Sequence, residues 1–323
     1  MINWGIIGFG NMGRQYENCF RKESSIFNLV GIASKSKKKI KNTNREVKFF
    51  DTYEDLIKSN LIDAIYVSTL NNSHKNLVYL ANLHDKKILC EKPLGMNLSE
   101  VEELFNLLKN KKDNFIEAIA YRSHPQTEAL LQLLGDKEIG EIKKIESSFG
   151  FKVKKIRKNS RLFNKKLGGG AILDLGCYPL SFFNLLKGNK KMEIVKSNFN
   201  LCETNVDIDG EIILDIDNNI EAVGKVSLRE NLDNSCKIYC DNVQITLREP
   251  WLPTNKSFIE VETKSRYYKK IISSNKSVYE NQLEASSIFF SKNDKRSNLL
   301  VNIDESLELS KMIEIWKNGN NKN

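Results

Sequence analysis

The 323-residue sequence predicts an α/β protein of two domains. Residues 1–121 should form a parallel sheet flanked by helices, and 122–323 an α+β domain with a large, mostly antiparallel sheet and a last helix that packs back on the first domain. Three observations support this. The chain is long for a single hydrophobic core. Its first third alternates short β-rich apolar runs with helical patterns, the order expected of a parallel sheet with helices on both faces. From about residue 193 to 273 strand-like runs follow one another without helices between them, which implies an antiparallel or mixed sheet.

The first strand is INWGII (2–7), followed by GFGNMG and a helical stretch to about Arg21. Further short strands are FNLVGIAS (27–34), DAIYVST (63–69), KILCE (87–91) and FIEAIA (115–120). Helical patterns lie between them at 53–59, 73–84 and 99–111. Ser99 and Glu102 have the S-x-x-E spacing of a capping box, which predicts a helix start there. After Tyr121, PQTEALLQLL reads as a helix ending near Gly135 and EIKKIESSFGF (141–151) as a strand. A basic loop follows, then a mostly helical GGGAILDLGCYPLSFFNLL (168–186). The serial runs are EIVKSNFNL, VDIDGEIILDI, IEAVGKVSL, CKIYC, VQITL and SFIEVET, and helices near 279–290 and 304–317 close the chain.

Hydrophobic residues make up 40% of the chain and the mean hydropathy is −0.43, values of a soluble globular protein. No apolar run approaches the ~20 residues that cross a bilayer. The N-terminus has no basic n-region and no small-residue cleavage site, so no signal peptide is expected. The six cysteines are scattered, without CxxC spacing or neighbouring histidines, so reduced thiols and no metal site are expected. Together these features place the chain in the cytoplasm. The net charge of +9 is concentrated in 34–48 and 152–166, but lysine is abundant throughout and few aromatics interleave the basic runs. Nucleic-acid and membrane partners are therefore not indicated.

Gly8, Gly10 and Gly13 form G-x-G-x-x-G directly after a strand and at the opening of a helix. The first glycine permits the tight turn, the second lets backbone approach a pyrophosphate, and the third lets helix and strand pack closely. Asn11 and Met12, between them, are counted among the cofactor contacts. An NAD site usually carries Asp or Glu at the end of the second strand to bind the ribose 2′-hydroxyl. Here the strand ends Ala33-Ser34-Lys35, with Lys37, Lys38 and Lys39 behind it. A hydroxyl and ammonium groups suit a 2′-phosphate, so NADP is expected ahead of NAD.

In an open parallel sheet, ligands bind beyond the carboxyl ends of the strands. That edge collects the glycine loop, Ser68-Thr69, Glu91-Lys92-Pro93 and Tyr121-Arg122. A second constellation lies in LGGGAILDLGCYPL, where Asp174 and Tyr178 stand four apart on the expected helix, one turn apart on one face. A nearby ammonium, with Lys92 the candidate, could bring the tyrosine hydroxyl toward working pH. The same spacing also suits an amphipathic helix with two polar residues turned to solvent.

The order of these motifs resembles the Gfo/Idh/MocA family (glucose-fructose oxidoreductase, inositol dehydrogenase, rhizopine catabolism). The marks are GFGNMG, STLNNSH (68–74), EKPLG (91–95), EAIAYRSHPQ (117–126), SRLFNKKLGGGAILDLGCY (160–178) and NSCKIYCDNVQITL (234–247). They span essentially the whole chain. The branch it looks most like contains glucose-fructose oxidoreductase, NADP-dependent D-xylose dehydrogenase and dimeric dihydrodiol dehydrogenase, where Tyr replaces the His of inositol dehydrogenases. The resemblance implies a Rossmann dinucleotide-binding domain and a sheet domain that joins subunits into homodimers or homotetramers. It implies hydride transfer between nicotinamide and a carbinol carbon of a sugar, sugar derivative or cyclic polyol. Lys92 matches the catalytic lysine, Tyr178 the acid/base position and Asp174 the carboxylate that orients substrate. Thr69, Asn71 and His74 match the loop around the cofactor, which Glu91 and Lys92 also reach. Arg161 matches a basic residue near cofactor and substrate, and Arg122 joins Lys92, Asp174 and Tyr178 as a substrate contact. Leu70 stands where proline is common and Cys240 where glycine is common. Two rival readings are a non-catalytic dinucleotide-binding regulator on the same fold and a nicotinamide-assisted glycosidase with no net redox.

Overall fold

The computed structural model describes residues 1–35, 47–292 and 299–319, so Lys37, Lys38 and Lys39 lie outside the described residues. The chain divides into two compact units. The first comprises Met1–Arg122 with Tyr279–Leu307, and the second comprises Ser123–Val278 with the stretch from Glu308 onward.

The first unit begins with β1 (Ile2–Ile7), α1 (Asn11–Phe20), β2 (Phe27–Ala33), β3 (Lys48–Phe50) and α2 (Tyr53–Lys58). It continues with β4 (Ala64–Val67), α3 (His74–Leu83), β5 (Lys87–Glu91), α4 (Leu98–Leu108) and β6 (Phe115–Ala118). All six strands are parallel, in the order β3-β2-β1-β4-β5-β6. Strand alternation sends side chains to two separate cores. Trp4, Ile6, Ala64, Tyr66, Leu89 and Ile116 pack with Tyr16 of α1 on one face. Ile7, Ile65, Val67, Ile88, Cys90 and Phe115 pack on the other against Leu56 of α2, Leu77 and Val78 of α3 and Leu104 of α4.

The cap of α4 corrects the sequence expectation. Asn97, not Ser99, is the N-cap: its side chain accepts the Glu100 N–H at 3.0 Å, and Glu100 reaches back to the Met96 N–H at 2.9 Å. The reciprocal logic of a capping box holds, two residues earlier than the S-x-x-E pattern suggests. Strand β3 was also missed, because three residues, two of them Phe, give no periodic signal.

The second unit holds α5 (Pro125–Leu134), β7 (Ile142–Gly150), α6 (Ala171–Leu175) and α7 (Cys177–Lys187). Seven strands follow: β8 (Met192–Leu201), β9 (Asp207–Ile216), β10 (Ile220–Ser227), β11 (Ser235–Cys240), β12 (Val243–Arg248), β13 (Lys256–Thr263) and β14 (Tyr267–Ser273). The sheet order is β14-β13-β12-β11-β7-β10-β9-β8, antiparallel except for the β7–β10 pair. Gly224 of β10 lies under Phe183 and Pro179 of α7, and Gly210 of β9 under Ile172 of α6, so these helices cover that face.

The final helices are α8 (Val278–Lys292) and α9 (Ile303–Asn318). Helix α8 completes the first unit: Leu283 and Phe290 enter the core on the Trp4 side, and the Trp4 indole donates to Ser287 Oγ at 3.1 Å. The start of α9 adds Ile303 to the opposite core.

Candidate functional site

The glycine loop is built around close backbone contacts. Gly8 has φ +89°, and its N–H donates to Ala33 O at 2.9 Å. A Cβ on Gly13 would stand 2.3 Å from Gly8 O, so only glycine allows α1 this close to the strand end. A Cβ on Gly10 would meet nothing within 4 Å. Gly10 is the N-cap of α1, with no side-chain cap and no acidic residue in the first turn. A helix N-terminus without an acidic side chain, with the Arg14 guanidinium 2.7 Å from Asn11 Oδ1, fits the pyrophosphate of a dinucleotide. The Ser68 hydroxyl lies 2.8 Å from Gly8 O, which ties the loop to the end of β4.

Beyond β2, Ser34 is half-buried and Lys35 exposed, with the Lys35 ammonium 6.0 Å from the Tyr53 ring centroid. The β2–β3 pairing ends at Ala33↔Phe50, so Ser34 and Asp51 each follow directly on the last paired residue of their strand, and Asp51 was not part of the sequence reading. On the loop after β4, Thr69 Oγ1 accepts the Ser73 hydroxyl at 2.7 Å, and Asn71 is buried. His74 is wholly buried, with Nδ1 2.9 Å from Pro93 O and Nε2 3.3 Å from Thr69 O. Burial lowers its pKa, so the neutral ring donates once, and the shorter contact assigns the proton to Nδ1. His74 thus joins the Thr69 loop to the turn that carries Lys92. His124 caps α5 by accepting the Gln126 N–H at 3.1 Å.

The turn Glu91-Lys92-Pro93-Leu94 leaves the carboxyl end of β5. Its Lys92–Pro93 peptide is cis, and Lys92 is half-buried between a half-buried Glu91 and a buried Pro93. Three elements hold it. Tyr66 of β4 donates its hydroxyl to Glu91 Oε1, His74 of α3 meets Pro93 O, and Glu117 of β6 accepts the Leu94 N–H at 3.0 Å. Arg122, expected to touch substrate, is buried and forks onto Glu305, with Nη1 2.6 Å from Oε1 and Nη2 3.3 Å from Oε2.

Glu117 is wholly buried, and burial pushes its carboxyl up to about 7 against the Ser306 and Leu94 hydrogen bonds. An acid raised in the fold destabilises it once ionised. The effect is absent below the usual 4.5, accumulates as pH rises from there and is complete above 7. His74 works in the opposite sense, opposing protonation at low pH, so the contribution of Glu117 shows as a difference between proteins. The Tm of Glu117→Gln, relative to the parent, is expected to rise between pH 5 and pH 8; a constant difference would count against the raised carboxyl.

In the second unit the glycine triplet receives two partners. Gly170 N donates to Leu162 O at 2.9 Å and Gly169 N to Asn164 O at 3.0 Å, which docks the loop bearing Arg161 onto the triplet. Asp207 accepts the Ile172 N–H at 2.6 Å at the start of α6, and a Cβ on Gly170 (φ +124°) would stand 2.3 Å from Asp207 Oδ1. Asp174 is buried, and Arg161 forks onto it, Nη1 to Oδ1 at 2.6 Å and Nη2 to Oδ2 at 3.4 Å. The amphipathic alternative, with Asp174 turned to solvent, does not hold. Pro179 has no N–H to give Leu175 O, which accounts for the interruption between α6 and α7 at Gly176. Tyr178 is half-buried, its ring edge-on to Phe149 at 5.0 Å and tilted to Trp251 at 5.7 Å. Trp251 is fixed by its indole bond to Ser148 O at 2.9 Å.

Tyr66, Glu305 and Asp207 were missed from sequence, and Glu117 was read only as the start of the EAIAYRSHPQ run, without a role. Each lies far along the chain from the residues it supports, and a lone polar residue within a strand or helix gives no sign of its partner.

Residues 2–118 match the profile described as "Oxidoreductase family, NAD-binding Rossmann fold" (Gfo/Idh/MocA), and 127–246 match the family's C-terminal domain. The trans-1,2-dihydrobenzene-1,2-diol dehydrogenase of Xenopus tropicalis is 32% identical over 259 residues, 78% of this chain and 77% of that protein. The Sus scrofa enzyme of the same name is 28% identical over 258 residues, 78% and 76% of the two chains. Among solved structures, a 3-ketoreductase from Actinomadura kijaniata, in complex with NADP and TDP-benzene, superposes with TM-score 0.87 at 19% identity over 98% of this chain and 97% of that one. An aldose-aldose oxidoreductase from Caulobacter crescentus gives TM-score 0.84 at 17% identity over 97% and 95%. These two likenesses describe the fold.

Proposed function

The chain belongs to the Gfo/Idh/MocA oxidoreductase family, and from that premise we propose that it is an NADP-dependent oxidoreductase acting on a carbinol carbon of a cyclic diol, cyclic polyol or sugar derivative. The observation that carries the proposal is Lys92, held on a three-point turn at the same sheet edge as a glycine loop that fits a dinucleotide. A lysine so placed, together with Asp174 and Tyr178, favours an enzyme over a protein that only senses a dinucleotide. Gly8, Gly10, Asn11 and Met12 hold the pyrophosphate, and Thr69, Asn71 and Glu91 border the rest of the cofactor. When bound, the nicotinamide supplies the C4 position that gives or takes a hydride. Lys92 keeps positive charge beside the reacting oxygen, and Tyr178 takes the alcohol proton in oxidation or returns it in reduction. Asp174 orients the substrate, with Arg161 setting the direction of its carboxylate. The test is a screen of diols, inositols, aldoses and keto sugars followed by NADPH absorbance. Turnover without added cofactor would point instead to the glycosidase reading, and cofactor binding without any turnover to the regulator.

NADP preference rests on Ser34 and Lys35, and the NADP complex of the Actinomadura reductase supports it. Ser34→Asp puts a carboxylate where the 2′-phosphate is read. Loss of a hydrogen bond to a charged group is worth about 1.5–3 kcal/mol, so NADPH affinity should fall roughly 10- to 100-fold while NADH affinity rises. An unchanged ratio of the two Kd values would remove the assignment.

The proposed macromolecular partner is a second copy of the chain. On the sheet face away from α6 and α7, Lys144 bridges Glu146 and Glu221 at 3.0 Å each and Lys225 meets Glu211 at 2.7 Å, beside the half-buried Ile213 and Val223. Charges already paired within the sheet can be covered without being left alone. Light scattering is expected to give a dimer or tetramer, and a monomer at micromolar concentration would contradict it.

A further inference from the structure

We infer that Glu117 is a positioning residue for Lys92: from inside the core of the first unit, its carboxylate holds the Leu94 N–H two residues beyond the lysine and so sets the turn from which the ammonium is presented. This rests on the reading of Lys92 as the reacting lysine.

The geometry supports an acceptor with no ready substitute. Glu117 is 4% exposed, and its own backbone is fixed on both sides. It pairs with Cys90 across β5–β6, and its N–H donates to Val301 O at 2.8 Å. The carboxylate therefore moves little, and whatever it binds is placed by the sheet. Leu94 is 2% exposed, so its N–H, once released, has only the protein interior in which to find a partner. Tyr66 acts earlier, on Glu91, while His74 on Pro93 O and Glu117 on the Leu94 N–H grip the two ends of one peptide group. Without Glu117 that peptide keeps its hold on the carbonyl side and loses it on the N–H side.

Its surroundings suit a carboxyl group rather than an apolar side chain. Ser306 of α9 bonds Glu117, and the Ser306 hydroxyl also lies 3.0 Å from Asn302 O. A hydroxyl has one proton, so an ionised Glu117 accepts the Ser306 hydrogen bond, whereas a protonated Glu117 donates to Ser306, which then donates to Asn302. In both forms an oxygen remains for Leu94. The charged groups acting on Glu117 are Lys92, which favours the ionised form, and Glu305, which opposes it and is itself paired with Arg122. Cys90, beside it on β5, has its thiol pushed well up by burial and stays neutral.

The test compares Glu117→Met, which fills the space without an acceptor, with Glu117→Gln, which keeps the oxygen for Leu94 and offers its amide N–H to Ser306. Two readouts are taken on the full chain: the rate of Lys92 reductive methylation by formaldehyde and borane, resolved by peptide mass spectrometry with exposed Lys35 as control, and kcat with the NADPH Kd. In Glu117→Met, Lys92 methylation should change by more than threefold with Lys35 unaffected, and kcat should fall at least tenfold with the Kd within threefold. Glu117→Gln should restore both readouts to within about threefold of the parent and lose any inflection near pH 7 in the Lys92 rate. Unchanged Lys92 reactivity in a folded Glu117→Met protein overturns the inference, as does a Glu117→Gln protein no better than Glu117→Met. If the parent turns over none of the diols and sugars tested, the oxidoreductase reading falls, and Lys92 reactivity still decides the role of Glu117.

Discussion

Lys92→Ala and Tyr178→Phe are each expected to lower kcat by roughly 10²- to 10⁴-fold, the range for a positioned acid/base group. On the proposed mechanism the first substitution removes the positive charge that would favour a tyrosinate, and the second removes the proton carrier. NADPH affinity should change little in either, because the proposed pyrophosphate contacts lie on the glycine loop. Two groups that serve one step are not additive, so the double variant should be only slightly slower than the slower single variant. Stopped-flow measurement of hydride transfer on the substrate found by the screen gives the comparison. A Tyr178→Phe protein with near-parental kcat would leave Lys92 as the sole acid/base and return Tyr178 to its packing against Phe149 and Trp251.

The glycine loop should separate two roles that the motif combines. Gly13→Ala places a methyl 2.3 Å from Gly8 O and 3.1 Å from Ser68 Oγ, both fixed groups, so α1 must shift. Overpacking of this kind destabilises by about 1–3 kcal/mol, and the displaced helix start should weaken NADPH binding about 100-fold or more, counting two or more lost charge-assisted contacts. Gly10→Ala has open space and extended backbone, so its methyl disturbs nothing in the free protein but would stand where the proposed site seats the pyrophosphate. Its Tm should match the parent while NADPH affinity still falls at least tenfold. Thermal melts with and without NADPH check both variants. A Gly10→Ala protein that binds normally would remove the loop from the cofactor site.

Legibility followed the range of the interactions. The glycine loop, the Lys92 turn and the Asp174–Tyr178 stretch could be read because their residues are close in sequence and their geometry is local. The strand series was readable from its alternation, yet β14 was not singled out and β3 passed unseen. The α4 cap was displaced because two competing hydrogen-bonding patterns lie two residues apart, and backbone geometry chose Asn97. The supporting residues were beyond reach for a different reason. Asp207 caps a helix that starts 36 residues before it, and Glu305 meets an arginine 183 residues upstream. Register and packing create such pairs, and neither residue differs in sequence from a surface carboxylate.

The return of Tyr279–Leu307 to the first unit bears on how the chain is made. A nascent chain that has emerged only as far as Arg122 carries all six strands of the parallel sheet but lacks Leu283 and Phe290, so Trp4 and Tyr66 have a side without cover. The eight-stranded sheet, whose strands end at Ser273, is complete in sequence before that cover is synthesised. The strands of both sheets are therefore all synthesised before the helix that closes the core of the first unit. The first unit therefore stays without full cover, and open to chaperones, until α8 has emerged.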